Sequence, residues 1–242
     1  AAPGADKGRL FAAAVETETE LYWRRPSAQA ADQAQRISGA FGYDTFNRTN
    51  STTLGSLDSG QPWSEDDGNW EILSNRLHVN GVAASASNTQ ATFPLGYQEG
   101  LEVWASLIGN GSADMGVLFR WVGIDDFLIV RILGASIGGG NGKLQLAKEV
   151  GGTFTSLVSV DLNSILNVSV RMRLHLVAMG GLVFVECYRD ELNSFGFSIN
   201  AASLRYGVIA DTWTSTLKGG LNVGVRIPNT NDDCDELMVK TW

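Results

Sequence analysis

Four arginines carry the most chemistry in this sequence. Arg120, Arg131, Arg171 and Arg173 fall in alternating apolar stretches at positions of shared parity, with Glu186 and Tyr188 as candidate neighbours. Successive side chains of a β-strand point to opposite faces, so residues of one parity line one face together. Guanidinium groups hydrogen-bond hydroxyls and carboxylates, and aromatic side chains supply stacking surfaces for sugar rings. The competing reading is cross-strand Arg–Glu pairing on a solvated sheet, and it is the favoured one. Trp213 sits in a Thr- and Ser-rich stretch, Asp211 to Lys218, and reads as an exposed anchor for a ligand or partner. Trp70, Trp104 and Trp121 fit strand periodicity and read as core, while Trp63 lies in a polar turn.

Acids are the next group. Glycoside hydrolysis needs two carboxyl groups flanking one bond, about 5 Å or about 6.5–9.5 Å apart. The acidic clusters are Glu65-Asp66-Asp67, Asp125-Asp126 and Asp232-Asp233-Cys234-Asp235-Glu236; the first two fall in expected turns, where solvated acids are the ordinary case. Gly-x-Ser-x-Gly, phosphate-cradling and zinc-spacing motifs are absent. Gly138 to Gly142 is glycine-rich but precedes a hairpin and not a helix, so it reads as a loop. No catalytic residue is assigned, and a non-enzymatic chain is expected.

The bulk properties exclude several classes. With 18 Lys plus Arg against 26 Asp plus Glu, the net charge of -8 lacks the footprint of a nucleic-acid binder or of a protein drawn to anionic membranes. No apolar run is long enough to read as a membrane span. Charged residues at 18% and apolar residues at 44% describe a chain that folds. The 2 His are too few for a His-rich metal site, and the 2 Cys, Cys187 and Cys234, allow either one bridge or two free thiols. The chain begins Ala1-Ala2-Pro3-Gly4, which reads as a processed chain or a fragment.

These side chains need strands to position them. The 28 Gly fall largely between alternating segments, as in Gly109-Asn110-Gly111, Gly151-Gly152 and Gly180-Gly181. Expected strands are 76–82, 89–93, 101–108, 116–122, 127–133, 143–149, 153–160, 168–178, 182–189, 207–210, 221–226 and 236–242. Such a series with hairpin-length gaps describes an all-β antiparallel sandwich. In 170–176, Val170, Met172, Leu174 and Leu176 belong in the core, with Arg171, Arg173 and His175 opposite. Val117, Phe119 and Trp121 oppose Leu118 and Arg120 in the same way. Strand 127–133 is apolar on both faces except for Arg131, which fits a strand whose outer face is also covered. Residues 1–40 stand apart as an N-terminal arm or linker: Val15 to Trp23 reads as a strand and Ser27 to Arg36 as a short helix or linker. One more edge strand of the main domain is the alternative for the arm.

The order of these motifs resembles concanavalin A-like (laminin G-like) jelly-roll domains, in the variant found in minor tail proteins of actinobacterial phages. Tyr43-Asp44-Thr45-Phe46-Asn47-Arg48 is similar to the family's first strand, and Leu54 to Trp63 to its "LGxxDxGxxW" turn. Gly68-Asn69-Trp70-Glu71-Ile72, Gly116 to Arg120, Asp126 to Arg131, Lys143 to Leu146 and Asp232 to Val239 follow in the family's order. The resemblance covers about Tyr43 to Val239, with residues 1–40 outside it. It implies a concanavalin A-like jelly-roll β-sandwich over 41–242. Many such modules hold Ca²⁺ where the first and last strands meet; here those ends carry Asp44, Asp232, Asp233 and Asp235 as candidate ligands of a structural Ca²⁺.

The functional expectation is a structural or adhesion component of a phage virion, at the tail tip or a fibre. Its partners would be other virion subunits, a cell-surface glycan and further copies of itself, without nucleic acid or membrane insertion. One alternative is a secreted bacterial protein that binds or cleaves polysaccharide. Another is a purely architectural virion protein, in which Val15 to Trp23 pairs with another chain through an open sheet edge.

Overall fold

The computed structural model describes residues 9–15, 18–24, 34–36, 41–82, 89–96, 100–109, 114–133, 142–162, 171–179, 182–192, 198–207, 217 and 220–241. In chain order the strands are β1 Arg9–Val15, β2 Glu18–Arg24, β3 Ala34–Arg36, β4 Phe41–Asp44, β5 Ser64–Asp67, β6 Asn69–Ile72, β7 Leu77–Gly81, β8 Gln90–Pro94 and β9 Gly100–Ile108. They continue with β10 Asp114–Gly123, β11 Asp126–Leu133, β12 Lys143–Val150, β13 Thr153–Asp161, β14 Arg171–Met179, β15 Leu182–Leu192, β16 Ser198–Gly207, β17 Asn222–Arg226 and β18 Asp233–Thr241. Among the described residues, no helix is long and apolar enough to cross a membrane.

A seven-stranded sheet runs β13-β12-β11-β10-β17-β8-β5, and an eight-stranded sheet runs β16-β15-β14-β9-β18-β7-β6 with β4 added on β18. The chain is therefore an all-β, antiparallel, concanavalin A-like jelly-roll sandwich preceded by an N-terminal arm. Alternation builds the core, because each strand sends every second side chain between the sheets. Phe119, Val117, Phe93 and Val225 from one sheet share a buried cluster with Leu107, Leu174, Val185 and Leu237 from the other. Met172, Leu174 and Leu176 are in this core as expected, with Arg173 and His175 on the opposite face.

The arm forms its own three-stranded sheet, ordered β1-β2-β3. Of the segment read as one strand, Val15 to Trp23, residues 18–23 lie in β2 and Val15 ends β1, with 16–17 outside the described residues; β1 and β2 pair in register from Arg9↔Arg24 to Val15↔Glu18. Within the segment read as helix or linker, 34–36 is a strand paired with β2, and 27–33 lie outside the described residues. Both edges of β2 are thus occupied by this chain's own strands.

Three further expectations are corrected. Glu65-Asp66-Asp67 belongs to β5, paired with β8, and not to a turn. Ser198–Gly207 forms a ten-residue strand where the sequence suggested only 207–210, of which 208–210 lie outside the described residues. The third concerns β10. Arg120 takes φ 48, and the β10 register slips against both β11 and β17 around it. A bulge adds one residue to one strand, so side-chain parity flips beyond it. Trp121 consequently leaves the core side and packs on the outer face against Leu118, Phe127, Ile129 and Ala147. That outer cluster covers β11 on its second side, as the two-sided apolar pattern of 127–133 required.

The outer cluster reflects a curl. In the ladder, Gln90 lies opposite Arg226, and Arg226 opposite Gly116, while Trp121 lies opposite Asn222 at the other end of β17. Yet Trp121 Nε1 donates to Gln90 Oε1 at 2.7 Å, and Gln90 Nε2 donates to the Ile124 carbonyl at 3.0 Å. Four residues of strand span about 13 Å, so the tip of the β10–β11 hairpin must bend back over the outer face of its own sheet. Gly220 packs against the backbone of Arg120 at the bend, where a Cβ would overlap it.

Candidate functional site

The four arginines do not share a face. Arg120 and Arg131 lie on the seven-stranded sheet, and Arg171 and Arg173 on the eight-stranded one. Parity within a strand says nothing about which sheet the strand joins. Arg120 is buried at the bulge. Arg171 lies opposite Ile108 in the ladder. Trp213 lies outside the described residues.

Arg173 belongs to a mixed aromatic and charged surface on the outer face of the eight-stranded sheet. Arg173 faces Tyr188, and its Nη2 lies 3.7 Å from Glu236 Oε2. One residue pair along, His175 stacks on Trp104 with ring centroids 3.8 Å apart and planes 9° from parallel. Its Nε2 lies 3.0 Å from Glu102 Oε1, and its Nδ1 is 3.5 Å from Glu186 Oε2. The Tyr188 hydroxyl donates to Glu186 at 2.6 Å; burial, reinforced by that carboxylate, pushes the phenol up to about 12. Here the expected neighbours Glu186 and Tyr188 are present; Glu186 meets His175 across β14–β15, while Tyr188 bonds Glu186 along their own strand. Trp104, read as core, stands on this outer face instead.

The four aspartates proposed as calcium ligands do not gather. Asp44 is fully buried, and four donors converge on it: Phe46 N, Arg48 Nη1 and Nη2, and Trp63 Nε1. β4 does pair with β18, but Asp44 stands opposite Leu237. Asp233 accepts from Arg76 and lies 2.7 Å from His78 Nδ1, and Asp235 lies 3.6 Å from Arg76. Asp232 is buried at the turn before them. Among the described residues, no three His, Cys, Asp or Glu side chains form a metal-binding group. Asp44, Asp233 and Asp235 are thus engaged by protein cations, an imidazole and N–H donors.

The densest polar arrangement was not legible as a motif. On the outer face of the seven-stranded sheet one ladder row reads Gln90, Arg226, Gly116, Arg131, Gln145. Arg131 Nη1 donates to Asp114 Oδ1 at 2.8 Å and Arg226 Nη2 to Asp114 Oδ2 at 3.1 Å, so two guanidinium groups share one carboxylate. Arg131 Nε donates to Gln145, Gln145 donates to Ser156, and the Phe154 ring lies 4.0 Å from the Arg131 guanidinium carbon. The curl brings Glu149 close enough to feel both arginines; burial pushes its carboxyl up, and the Arg226 and Arg131 charges oppose that. Donors, acceptors, Trp121 and Phe154 thus form one cluster, in which Gln90, Gln145, Glu149 and Arg226 are buried. Of these residues the sequence singled out only Arg131 as a site. The signal present was an alternating Arg226 beside paired glycines, which resembles any strand end.

No family model matches the chain, and no curated protein matches it by sequence. Solved structures do. The chain is similar to the GH43 protein BlXynB of Bacillus licheniformis, at 12% identity and a TM-score of 0.52, over 97% of this chain and 53% of that one. It is similar to a xylan β-1,4-xylosidase of Bacillus halodurans C-125, at 13% identity and a TM-score of 0.53, over 96% of this chain and 52% of that one. The chain therefore spans about half the length of these two proteins. It is also similar to the CBM2 module of the evolved Dit of Lactobacillus casei BL23 phage J-1, at 7% identity and a TM-score of 0.51, over 84% of this chain and 97% of the module. At these identities the likeness establishes the jelly-roll sandwich.

Proposed function

We propose that this chain is a non-enzymatic carbohydrate-binding component of a phage virion, carried at the tail tip or a fibre, where it adheres to a host cell-surface glycan. The observation that carries the reading is the polar and aromatic cluster on the outer face of the seven-stranded sheet. Arg131, Arg226, Asp114, Gln145 and Glu149 meet there beside Trp121 and Phe154, the mixture of oriented hydrogen-bonding groups and ring surfaces that sugar recognition uses. The sandwich shared with a carbohydrate-binding module of a phage Dit supports both halves of the reading, and the resemblance to minor tail proteins of actinobacterial phages supports the virion setting. Other virion subunits and further copies of this chain are the expected protein partners.

A secreted protein that binds or cleaves polysaccharide is the second reading, supported by the likeness to two GH43 and xylosidase chains. Glycan-array binding by the full chain, followed by a reducing-end assay on each bound glycan, tests both. Binding without product is expected. Product release assigns the second reading, and an array without any bound glycan leaves only an architectural role.

A further inference from the structure

A pocket of about 190 Å³ opens at the rim of the sandwich, where β5 ends one sheet and β6 ends the other. Thr52, Glu65, Asn69, Trp70, Glu71 and Asn80 line it. Local structure places them there. In the β6–β7 ladder Trp70 pairs with Val79 and Asn69 with Gly81, so Asn80 is a bulged residue, and bulges redirect side chains. Gly81 leaves room for the Asn69 amide, whose Nδ2 would lie 2.9 Å from a Cβ at that position. Two backbone hydrogen bonds between Ser51 and Ile72 hold Thr52 beside β6. Thr52, Glu65, Asn69 and Asn80 are exposed and Glu71 is half-buried, so a ligand can reach them.

The pocket also carries uncompensated charge. Glu65 Oε1 accepts from the Leu54 N–H at 2.9 Å, which leaves Oε2. Among the described residues, Thr52, Asn69, Glu71 and Asn80 make no side-chain hydrogen bond. His78 Nε2 lies 3.9 Å from Glu71 Oε1, beyond hydrogen-bond reach, and its Nδ1 is 2.7 Å from Asp233. Between Arg48 and Arg120 the sequence has a single Lys or Arg, Arg76, and that side chain is 3.3 Å from Asp233 and 3.6 Å from Asp235. No Lys or Arg lines the pocket beside its two carboxylates.

We infer that this pocket receives an amino sugar with a free amine, its ammonium on the Glu65 and Glu71 carboxylates and its ring hydroxyls on Asn69, Asn80 and Thr52. This rests on the carbohydrate-binding reading above. The chemistry follows from the open groups. An ammonium is donor-only and positive, so it answers both the acceptor-only carboxylates and their charge. Ring hydroxyls donate and accept, as the two amides and the Thr52 hydroxyl do. The volume is below the roughly 300–1,000 Å³ of pockets for drug-sized ligands, which suits a single sugar unit. N-acetylation of the amine would remove the charge and two of its three N–H donors.

Calorimetric titration of the full chain at low salt and about pH 6, where the amine is protonated, tests the inference. The probes are a glucosamine-terminated trisaccharide, its N-acetylglucosamine counterpart, butylamine and Ca²⁺. The free-amine trisaccharide is expected to bind about tenfold tighter than the N-acetyl compound, a margin that two part-exposed charge pairs can supply, and added salt should shrink it. Glu65→Gln and Glu71→Gln should each reduce the preference and together abolish it, with melting curves close to wild type. Asp161→Asn, at the far end of β13, leaves it intact. Equal binding of the two trisaccharides, or a preference that survives the double variant, overturns the amino-sugar site while leaving a glycan-binding module in place. Butylamine that binds as tightly as the free-amine trisaccharide shows an ammonium site without sugar recognition, and Ca²⁺ that displaces the trisaccharide at lower concentration shows a metal site; either overturns the inference. If no glycan on the array binds, the inference and the functional reading fall together.

Discussion

Trp63 donates its indole N–H to Asp44 Oδ2 at 2.8 Å, tying a turn to the first strand of the sandwich. The ring also packs edge-on against Phe93, centroids 5.1 Å apart. Arg48 holds the same carboxylate through both Nη atoms, at 2.6 and 3.0 Å. The Trp of the "LGxxDxGxxW" turn and the Asp of the first strand are therefore two ends of one buried lock. Asp44→Ala removes the acceptor of Trp63, Arg48 and the Phe46 N–H and leaves Arg48 with the more distant Asp58 carboxylate at 3.9 Å; a loss of about 3 kcal/mol is expected in urea denaturation. Trp63→Phe keeps most of the packing and the Arg48 bond to the same Asp44 oxygen, and should cost about 1 kcal/mol through the lost indole hydrogen bond.

The same saturation of Asp44 bears on calcium. Protein stripped with a chelator should melt at the same temperature with and without added Ca²⁺. A melting point that rises with Ca²⁺ would place the ion elsewhere than on Asp44.

Acid sensitivity should trace in part to Asp58. The Thr45 hydroxyl donates to its Oδ2 at 2.6 Å and the Thr45 N–H at 2.8 Å; these bonds, with Arg48 nearby, hold the carboxyl below its ordinary value of 3.8 against an opposing effect of burial. A depressed folded pKa means that the unfolded chain binds the proton first. The stabilisation is therefore complete above the unfolded pKa and disappears as pH falls through the folded one. The melting difference between wild type and Asp58→Asn is expected to be constant near neutrality and to shrink below about pH 4.

Both cysteines are free and buried. Cys187 on β15 and Cys234 on β18 are separated in the sheet by β14 and β9, three strand spacings or about 14 Å, twice the reach of a disulfide. Burial pushes the Cys187 thiol up to about 12 and the Cys234 thiol further still. A thiol reagent at pH 8 should label neither in the native protein and both in denaturant. Rapid native labelling would show local opening of the eight-stranded sheet.

Gly220 should be intolerant of any side chain. A Cβ there overlaps the backbone of Arg120, the bulged residue that turns the hairpin tip back over the sheet. Gly220→Ala is expected to cost about 2 kcal/mol. Because the bend carries Trp121 to Gln90, it should also shift the Trp121 environment in tryptophan fluorescence.

The sequence by itself determined the all-β class, most strand positions and the inward faces of individual strands. Alternation in Met172, Leu174 and Leu176 is a local signal, and burial of one face is its direct physical consequence. The two-sided apolar pattern of 127–133 was local in the same sense, and the outer cluster of Leu118, Phe127, Ile129 and Ala147 answers it. What tertiary structure decided was adjacency. Arg131 and Arg173 share a parity, but hydrogen-bond ladders place their strands in different sheets. Arg226 meets Asp114 across 112 residues of chain, and only the β10–β17 register makes them neighbours. A single bulge at Arg120 then reversed the side of Trp121. Side-chain direction follows from two consecutive residues, whereas register and sheet membership follow from pairings between distant segments that no local pattern encodes. Arg131 and Arg226 were therefore visible in the sequence as residue types, and the cluster they form with Asp114 exists only in the folded sheet.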